Sequence, residues 1–371
     1  MSRDLVVLSH LRWTFVWQRP QHLISRVSAG YDRAWFVEEP MTGDVESPTL
    51  RVEAHGRVRR VWLEMPAGTE CKGFDEWTSE LYGSLLPPLL DQSTHRTVWL
   101  YTPMAMDIAR VLGPDLLVYD VMDDLAAFRF APAGLVLRQR QALRDADLVF
   151  TGGRSLHRGV SEHRPDAMCF PSGVEPEHYA AAIKLRAARR TRSRRPVAGY
   201  VGVIDERIDL ELAESLAEKL ADWDVHMVGP VVKIEESSLP RRDNLIYPGS
   251  RDYAELPSVM ADFDVALMPF ALNEATRSIS PTKTLEYLAA GLPVVSTRVP
   301  DVAADYEGIV DLRDDAAGFA DACRRGLKEC NIARAERCAP ILAAQHWDNI
   351  AARMADHVEG ARLEAAARDT A

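Results

Sequence analysis

Short apolar runs alternate with helical patterns along almost the whole chain, and no other feature constrains its fold as tightly. Leu5–Ser9, Ala34–Glu38, Val98–Tyr101, Leu116–Tyr119, Leu148–Thr151 and Met168–Pro171 form a first series. Val197–Ile204, Val225–Val228, Leu245–Tyr247, Val265–Phe270, Val294–Thr297 and Ile309–Leu312 form a second. Most of these runs are continuous rather than alternating, the signature of strands buried on both faces. Helical stretches between them predict βαβ crossovers and parallel sheets. A chain of 371 residues suits two such domains of roughly 150–190 residues. The expected fold is therefore α/β, with two Rossmann-like, doubly wound domains facing a cleft.

The expected boundaries are an N-terminal domain over 1–174, a basic linker over 175–196, a C-terminal domain over 197–345 and a final helix over 346–371. The linker is placed by KLRAARRTRSRRP, a run rich in arginine and free of acids. Like charges repel there, which predicts a solvated connector. The alternative is a contact for anionic lipid headgroups or an anionic acceptor. In the last segment Trp347, Ile350, Met354 and Val358 recur near helical spacing, so this helix is expected to cross back to the N-terminal domain.

Charge and cysteine usage exclude several functions. A formal net charge of -11 argues against nucleic-acid binding, which needs a basic face. The five cysteines, Cys71, Cys169, Cys323, Cys330 and Cys338, are scattered without a CxxC pair, as in a reducing compartment and without a zinc site. The first residues, MSRDLVVLSH, do not read as a signal peptide. No apolar run approaches the roughly 18 residues of a membrane span. The expected location is the cytoplasm, with peripheral contact at the membrane surface as the setting if the basic run meets lipid.

The most informative stretch is PFALNEATRSISPTKTLEYLAAGLPVVST, residues 269–297. A strand ends near Phe270. Ser280 stands where an N-cap belongs, with Pro281 at the first helical position. Gly291 suits the residue just past the helix end, and Pro293 follows. A helix starting at a strand's carboxyl end presents free N–H groups, here Thr282, Lys283 and Thr284, to an anion. Lys283 in the first turn opposes the helix dipole, and a bound phosphate removes that conflict. Glu286 shares its face and has the chemistry to accept from the two hydroxyls of a ribose. The plain alternative is a solvent-facing Lys283–Glu286 pair.

PTKTLEYLAAGLPVVST resembles the donor-binding motif of GT-B glycosyltransferases, in particular glycosyltransferase family 4, the group 1 transferases. The surrounding order GYVGVIDE, HMVGP, NLIYPGS and DVALMPF is similar to that family across most of 197–300. RWTFVWQRPQHLISR resembles a bacterial subgroup more loosely. The resemblance implies a nucleotide-sugar-dependent glycosyltransferase, retention of anomeric configuration and no metal or other cofactor. Glu286 matches the second of two glutamates that the family spaces eight apart. Ser278 stands at the first position, and Glu274 is a candidate to replace it. The family's Gly-Arg pair reads Gly202-Val203, with Arg207 as the basic residue further on.

Arg207 lies between a strand end and a helix, where a guanidinium can hold a departing diphosphate; the alternative is an ion pair with Asp205 or Glu206. Gly202 suits a close backbone approach to a ligand, or a plain turn. On the acceptor side, the loop after the first strand collects His10, Arg12, Trp17, Gln18 and Arg19, side chains suited to sugar or phosphate. Its alternative is a capped helix, beginning at Pro20, with aromatics packed beneath. His10 is a candidate base or a structural histidine. Asp120, Asp123 and Asp124 follow another strand and are candidates to bind an acceptor hydroxyl or take its proton, or else to cap the next helix. Three D-x-D triplets, Asp145/Asp147, Asp222/Asp224 and Asp262/Asp264, precede strands and so lie at the end away from the cleft; they read as turns, not metal ligands.

The expected partners are a nucleotide sugar and a glycan, lipid-linked or small-molecule acceptor. Two other functions share the fold: a sugar-nucleotide epimerase, and a catalytically silent nucleotide-sugar-binding module in a polysaccharide assembly.

Overall fold

The structure is a computed structural model and describes residues 2–90, 95–125, 134–189, 194–329 and 331–369. Arg190, Thr191, Arg192 and Ser193 of the basic run, and Cys330, lie outside the described residues. The chain divides into two compact units, Met1–Phe170 with Asp348–Ala371, and Pro171–Trp347.

The first unit is built on a nine-stranded sheet. Its strands are β1 (Arg3–Ser9), β2 (Arg33–Glu38), β3 (Met41–Gly43), β4 (Thr49–His55), β5 (Val58–Pro66), β6 (His95–Leu100), β7 (Leu116–Val121), β8 (Leu148–Thr151) and β9 (Met168–Cys169). The order is β3-β5-β2-β1-β6-β7-β8-β9, with β4 beside β5. Parallel pairing holds β1 between β2 and β6, with Val6 opposite Trp35 on one side and Val98 on the other. Leu5, Val6, Val7 and Leu8 are all fully buried, which explains the unbroken apolar run.

β3, β4 and β5 are additions to the expected set. β4 and β5 form an antiparallel hairpin closed around Gly56, whose φ is 61°. β4 is mostly exposed at this edge, so its residues alternate in character instead of forming an apolar run. The helix Trp347–Asp369 closes the chain, and Ile350, Met354 and Val358 on it are buried.

The second unit carries a six-stranded sheet: β10 (Val197–Val201), β11 (Asp224–Val228), β12 (Leu245–Gly249), β13 (Val265–Met268), β14 (Val294–Ser296) and β15 (Asp311–Leu312). The order is β12-β11-β10-β13-β14-β15, parallel throughout. The strand order reverses about β10, the switch point at whose carboxyl side ligands of such sheets bind.

Most of the stretch expected as a linker is a helix, Pro176–Arg189, within this second unit. Tyr179 and Ala182 are buried on its inner face. Arg186 donates to the carbonyls of Met260, Phe263 and Ala290 at 2.9–3.0 Å. It thereby serves the ends of two helices, where a cation is favourable. The other described arginines are also partnered. Arg189 pairs with Asp262, Arg194 with Asp264 and Arg195 with Asp224. Among the described residues, three of the like charges that suggested a solvated run, Arg189, Arg194 and Arg195, are neutralised by aspartates of two D-x-D triplets.

Candidate active site

In the second unit, the loops after β10 and β13 are fastened together. Asp209 N–H donates to the Pro269 carbonyl at 2.8 Å, Ala271 N–H to the Arg207 carbonyl at 2.8 Å, and the Asn273 amide to the Glu206 carbonyl at 3.0 Å. This stitching sets Arg207 on the same sheet edge as the segment leading to Lys283. The Arg207 guanidinium forks onto Asp205 through Nε and Nη2, at 2.8–3.1 Å. Asp205 is buried and the Arg207 side chain 26% exposed. The ion pair weighed as the alternative is thus present, and it presents the guanidinium from a fixed base.

Gly202, past the end of β10, meets Gly229, past the end of β11. A Cβ on Gly229 would lie 1.8 Å from the Gly202 carbonyl oxygen, and one on Gly202 would lie 2.4 Å from the Tyr200 hydroxyl. A Cβ at Gly202 would thus meet the tip of Tyr200, so packing within the protein is one use of this glycine.

The helix expected after Ser280 runs over Thr282–Ala289. It starts one residue later than the sequence suggested. Pro281 is the N-cap, with extended backbone at ψ 118°, and Ser280 lies outside, its carbonyl accepting from the Ser172 hydroxyl at 3.3 Å. Proline's fixed φ suits this position as well, since no N–H is required there. Gly291 follows the helix at φ 68°, as expected of a C′ residue. The Thr284 N–H turns back to the Pro281 carbonyl at 3.3 Å, and the Thr284 hydroxyl points at the Met268 sulfur at 3.4 Å. The N–H groups of Thr282 and Lys283 have no intrahelical acceptor.

Lys283 Nζ donates to Glu286 Oε2 at 2.8 Å. The pair is not the solvent-facing one weighed from the sequence. The side chains are only 16% and 7% exposed. Glu274 lies in a surface turn and pairs with Arg277 at 3.1 Å; at 77% side-chain exposure it has no contact that ties it to Glu286.

The sequence did not single out the group behind Glu286. Tyr179 and Tyr253 lie beside it, and the Tyr253 hydroxyl donates to Glu175. Pro176 at a helix's first position was a usable signal for the element that carries Tyr179. The arginine run drew attention away from it.

In the first unit the acceptor-side candidates separate. Arg19 and Asp120 form a buried ion pair, 3% and 0% exposed, with Nε and Nη2 of Arg19 on Asp120 at 2.9–3.2 Å. Nη1 of Arg19 donates to the Phe170 carbonyl at 2.7 Å. Burial alone would lower the Arg19 pKa, but Asp120 raises it above its ordinary value. Both side chains are committed to the fold, which corrects their assignment as acceptor ligands. Gln18 precedes the helix Arg19–Val27, its N–H donating to the Gln21 side chain at 3.0 Å, and Pro20 is the second residue of that helix rather than the first.

Arg12 is spent largely on main chain, donating to the carbonyls of Glu39 and Pro40. Trp17 Nε1 donates to His22 Nδ1 at 3.1 Å. His10, Asp123 and Asp124 are half-buried beyond β1 and β7. The capping alternative for Asp123 and Asp124 concerns the segment just after them, which runs into residues 126–133, outside the described residues. Glu39, past the end of β2, was not anticipated; burial pushes its carboxyl up to about 7, with Arg12 opposing.

All three D-x-D triplets sit at strand amino ends. Asp147 accepts from Leu117 N–H at 2.7 Å and Asp264 from Val197 N–H at 2.9 Å. Asp222 faces Arg324 at 3.7 Å. Among the described residues, no three His, Cys, Asp or Glu side chains are grouped to hold a metal.

Residues 195–329 match the family Glycosyl transferases group 1. The chain has the GT-B fold, and its C-terminal part is similar to the group 1 glycosyltransferases. It is accordingly a nucleotide-sugar-dependent enzyme. The transferase is 25% identical over 275 residues to TuaH of Bacillus subtilis (strain 168), whose name assigns it as a glycosyltransferase of teichuronic acid biosynthesis; the match spans 68% of this chain and 69% of that protein. Among solved structures it resembles the trehalose-6-phosphate synthase OtsA, with TM-score 0.71 and 14% identity, covering 96% of this chain and 99% of that one. It also resembles sucrose-phosphate synthase from Thermosynechococcus elongatus, with TM-score 0.66 and 15% identity, covering 96% and 98%. These likenesses concern the fold. Among the described residues, no helix is long and apolar enough to cross a membrane.

Proposed function

We propose that the transferase binds a nucleotide diphosphate sugar on the unit Pro171–Trp347 and passes the sugar, with retention, to a glycan or lipid-linked acceptor in polysaccharide biosynthesis. The observation that carries this reading is the Lys283–Glu286 pair on the first turns of the helix that follows β13. A cation and a carboxylate at a helix N-terminus match the two ends of a nucleotide diphosphate: phosphate for Lys283 and the free N–H groups, ribose hydroxyls for Glu286.

In the reaction the donor C1–O bond breaks, the acceptor oxygen bonds to C1, and the nucleotide diphosphate leaves with the electron pair. Negative charge grows on the leaving group. Lys283, the helix N-terminus and Arg207 are fixed before that charge appears, which is the economical form of electrostatic catalysis. Their combined positive charge stands in for a metal, so the transfer is proposed to need none. Asp123, Asp124 and His10, each half-buried past a strand end, are the remaining candidates to take the acceptor's proton. The similarity to TuaH, named for teichuronic acid biosynthesis, supports an acceptor in polysaccharide assembly.

Incubation with labelled UDP-, GDP- and ADP-sugars tests the reading. Acceptor-dependent release of the nucleotide diphosphate is the expected result. Conversion of the donor sugar without acceptor would make the protein an epimerase, and binding without either reaction would make it a silent module.

A further inference from the structure

The helix Pro176–Arg189 brings an aromatic shelf against Glu286. Tyr179 is 1% exposed, and among the described residues its hydroxyl is buried without a hydrogen-bond partner. The Glu286 carboxylate and the Tyr253 hydroxyl are its polar neighbours. Tyr253 stacks on His178 at 4.2 Å with 7° between the planes, and meets Tyr179 edge-on at 6.1 Å. The single proton of the Tyr253 hydroxyl goes to Glu175. The Tyr179 proton then has two acceptors beside it, the Glu286 carboxylate and the Tyr253 oxygen, and the charged carboxylate is the stronger of the two. Burial, reinforced by Glu286 and Tyr253, holds the Tyr179 phenol well above its ordinary pKa, so it is a neutral donor at any working pH.

A carboxylate has about four acceptor sites on two oxygens. Lys283 occupies one, on Oε2. If Lys283 turns to a phosphate, it leaves Glu286 without its present anchor, and a carboxylate held at neither oxygen rotates freely about its last torsion. A neutral donor fixes that rotation without cancelling the charge that attracts the ribose.

We infer that Tyr179 is a positioning residue for donor recognition, its hydroxyl orienting the Glu286 carboxylate so that both oxygens can accept from the ribose diol. This rests on the ribose role proposed for Glu286. The test titrates UDP, GDP and ADP, with the 2′-deoxy and 3′-deoxy forms of whichever binds, against the wild type, Tyr179→Phe, Tyr253→Phe and Glu286→Gln. Tyr179→Phe keeps the ring in the core and removes an unpaired hydroxyl, so its thermal midpoint should not fall.

The expected result is a loss of about 3–10-fold in affinity for the ribonucleotide, the scale of one hydrogen bond, with a smaller loss for the deoxy forms. The ribo-to-deoxy ratio then shrinks in Tyr179→Phe and stays near wild type in Tyr253→Phe. An unchanged ratio in Tyr179→Phe, whether or not overall affinity falls, with a collapsed ratio in Glu286→Gln overturns the Tyr179 role and leaves the Glu286 role standing. Equal shrinkage in Tyr253→Phe and Tyr179→Phe assigns the effect to packing of the shelf and also overturns it. Unaltered nucleotide affinity in Glu286→Gln removes the ribose reading and the positioning role together.

Discussion

Replacing Asp120 by Asn should damage stability rather than acceptor recognition, and the structure sets the scale. Asp120 and Arg19 are 0% and 3% exposed, and two nitrogens of the guanidinium lie on the carboxylate. Asn keeps the shape but leaves a buried cation without its counter-charge, a change that costs about 3–5 kcal/mol. The unit that holds the pair comprises Met1–Phe170 and Asp348–Ala371. For a unit of this size each kcal/mol moves the midpoint by roughly 2–4 °C, so the expected fall is about 6–20 °C. Added salt should not reproduce it, since a buried pair is poorly screened. Replacing both partners, Arg19→Met with Asp120→Leu, should recover much of the loss, because well-packed apolar substitutes for a buried ion pair are often neutral or better. Thermal unfolding followed by circular dichroism reads the stability, and nucleotide titration checks that the second unit remains folded. An Asp120→Asn protein with a wild-type midpoint and reduced acceptor-dependent turnover would refute the structural assignment and return Asp120 to the acceptor site.

Lys283→Ala and Arg207→Ala should each slow acceptor-dependent release of nucleotide diphosphate, by a factor on the order of a hundred if they act on the leaving charge; turnover within a few-fold of wild type in both would remove them from the site. Activity is expected to persist in EDTA, and complete loss reversed by Mg²⁺ or Mn²⁺ would show that positive side chains alone do not carry the leaving group. Asp123→Asn or Asp124→Asn should lower acceptor-dependent turnover with nucleotide affinity unchanged, and unaltered acceptor kinetics in both would leave the base elsewhere. Glu39 has its pKa raised from 4.5 to about 7 by burial, so the folded state binds its proton more tightly and stability falls as pH rises between these values; Glu39→Gln should flatten that slope in thermal midpoints measured from pH 4 to pH 8.

What could be read from the sequence follows from what sets each feature. β1, β2, β7 and β13 were legible because both faces are buried, which forces a continuous apolar run. β4 and β5 were not, because an edge hairpin with one exposed strand has no such run; the alternation LRVEAH-G-RVRRV around Gly56 was the available signal. The donor-side helix was legible at both ends from Pro281 and Gly291, with an error of one residue at Ser280, where a serine and a proline compete for the same cap. The Arg19–Asp120 pair was out of reach: 101 positions separate its members, and either alone looks like a ligand. The basic run misled because repulsion was judged within the run. Its partners, Asp224, Asp262 and Asp264, come from turns that only the folded sheet brings near.

That neutralisation bears on how the chain presents positive charge. Arginines that look available in the sequence are engaged by carbonyls or aspartates in the second unit, as Arg186, Arg189, Arg194 and Arg195 show. Lys283 is different in kind. Its partner is three residues away on the same helix, and both side chains are largely buried at the helix start. On the proposed reading the pair holds the site's charges in place of the donor. A nucleotide diphosphate would take Lys283 with its phosphate and Glu286 with its ribose, so each buried charge exchanges one partner for another and neither is stranded. Lysine is suited to this exchange because its ammonium is a compact point charge on a flexible stem, whereas the guanidinium of Arg207, forked on Asp205, is already fixed in direction. The two cations then divide the work: Lys283 changes partner as the donor enters, and Arg207 supplies a stationary charge to the leaving group.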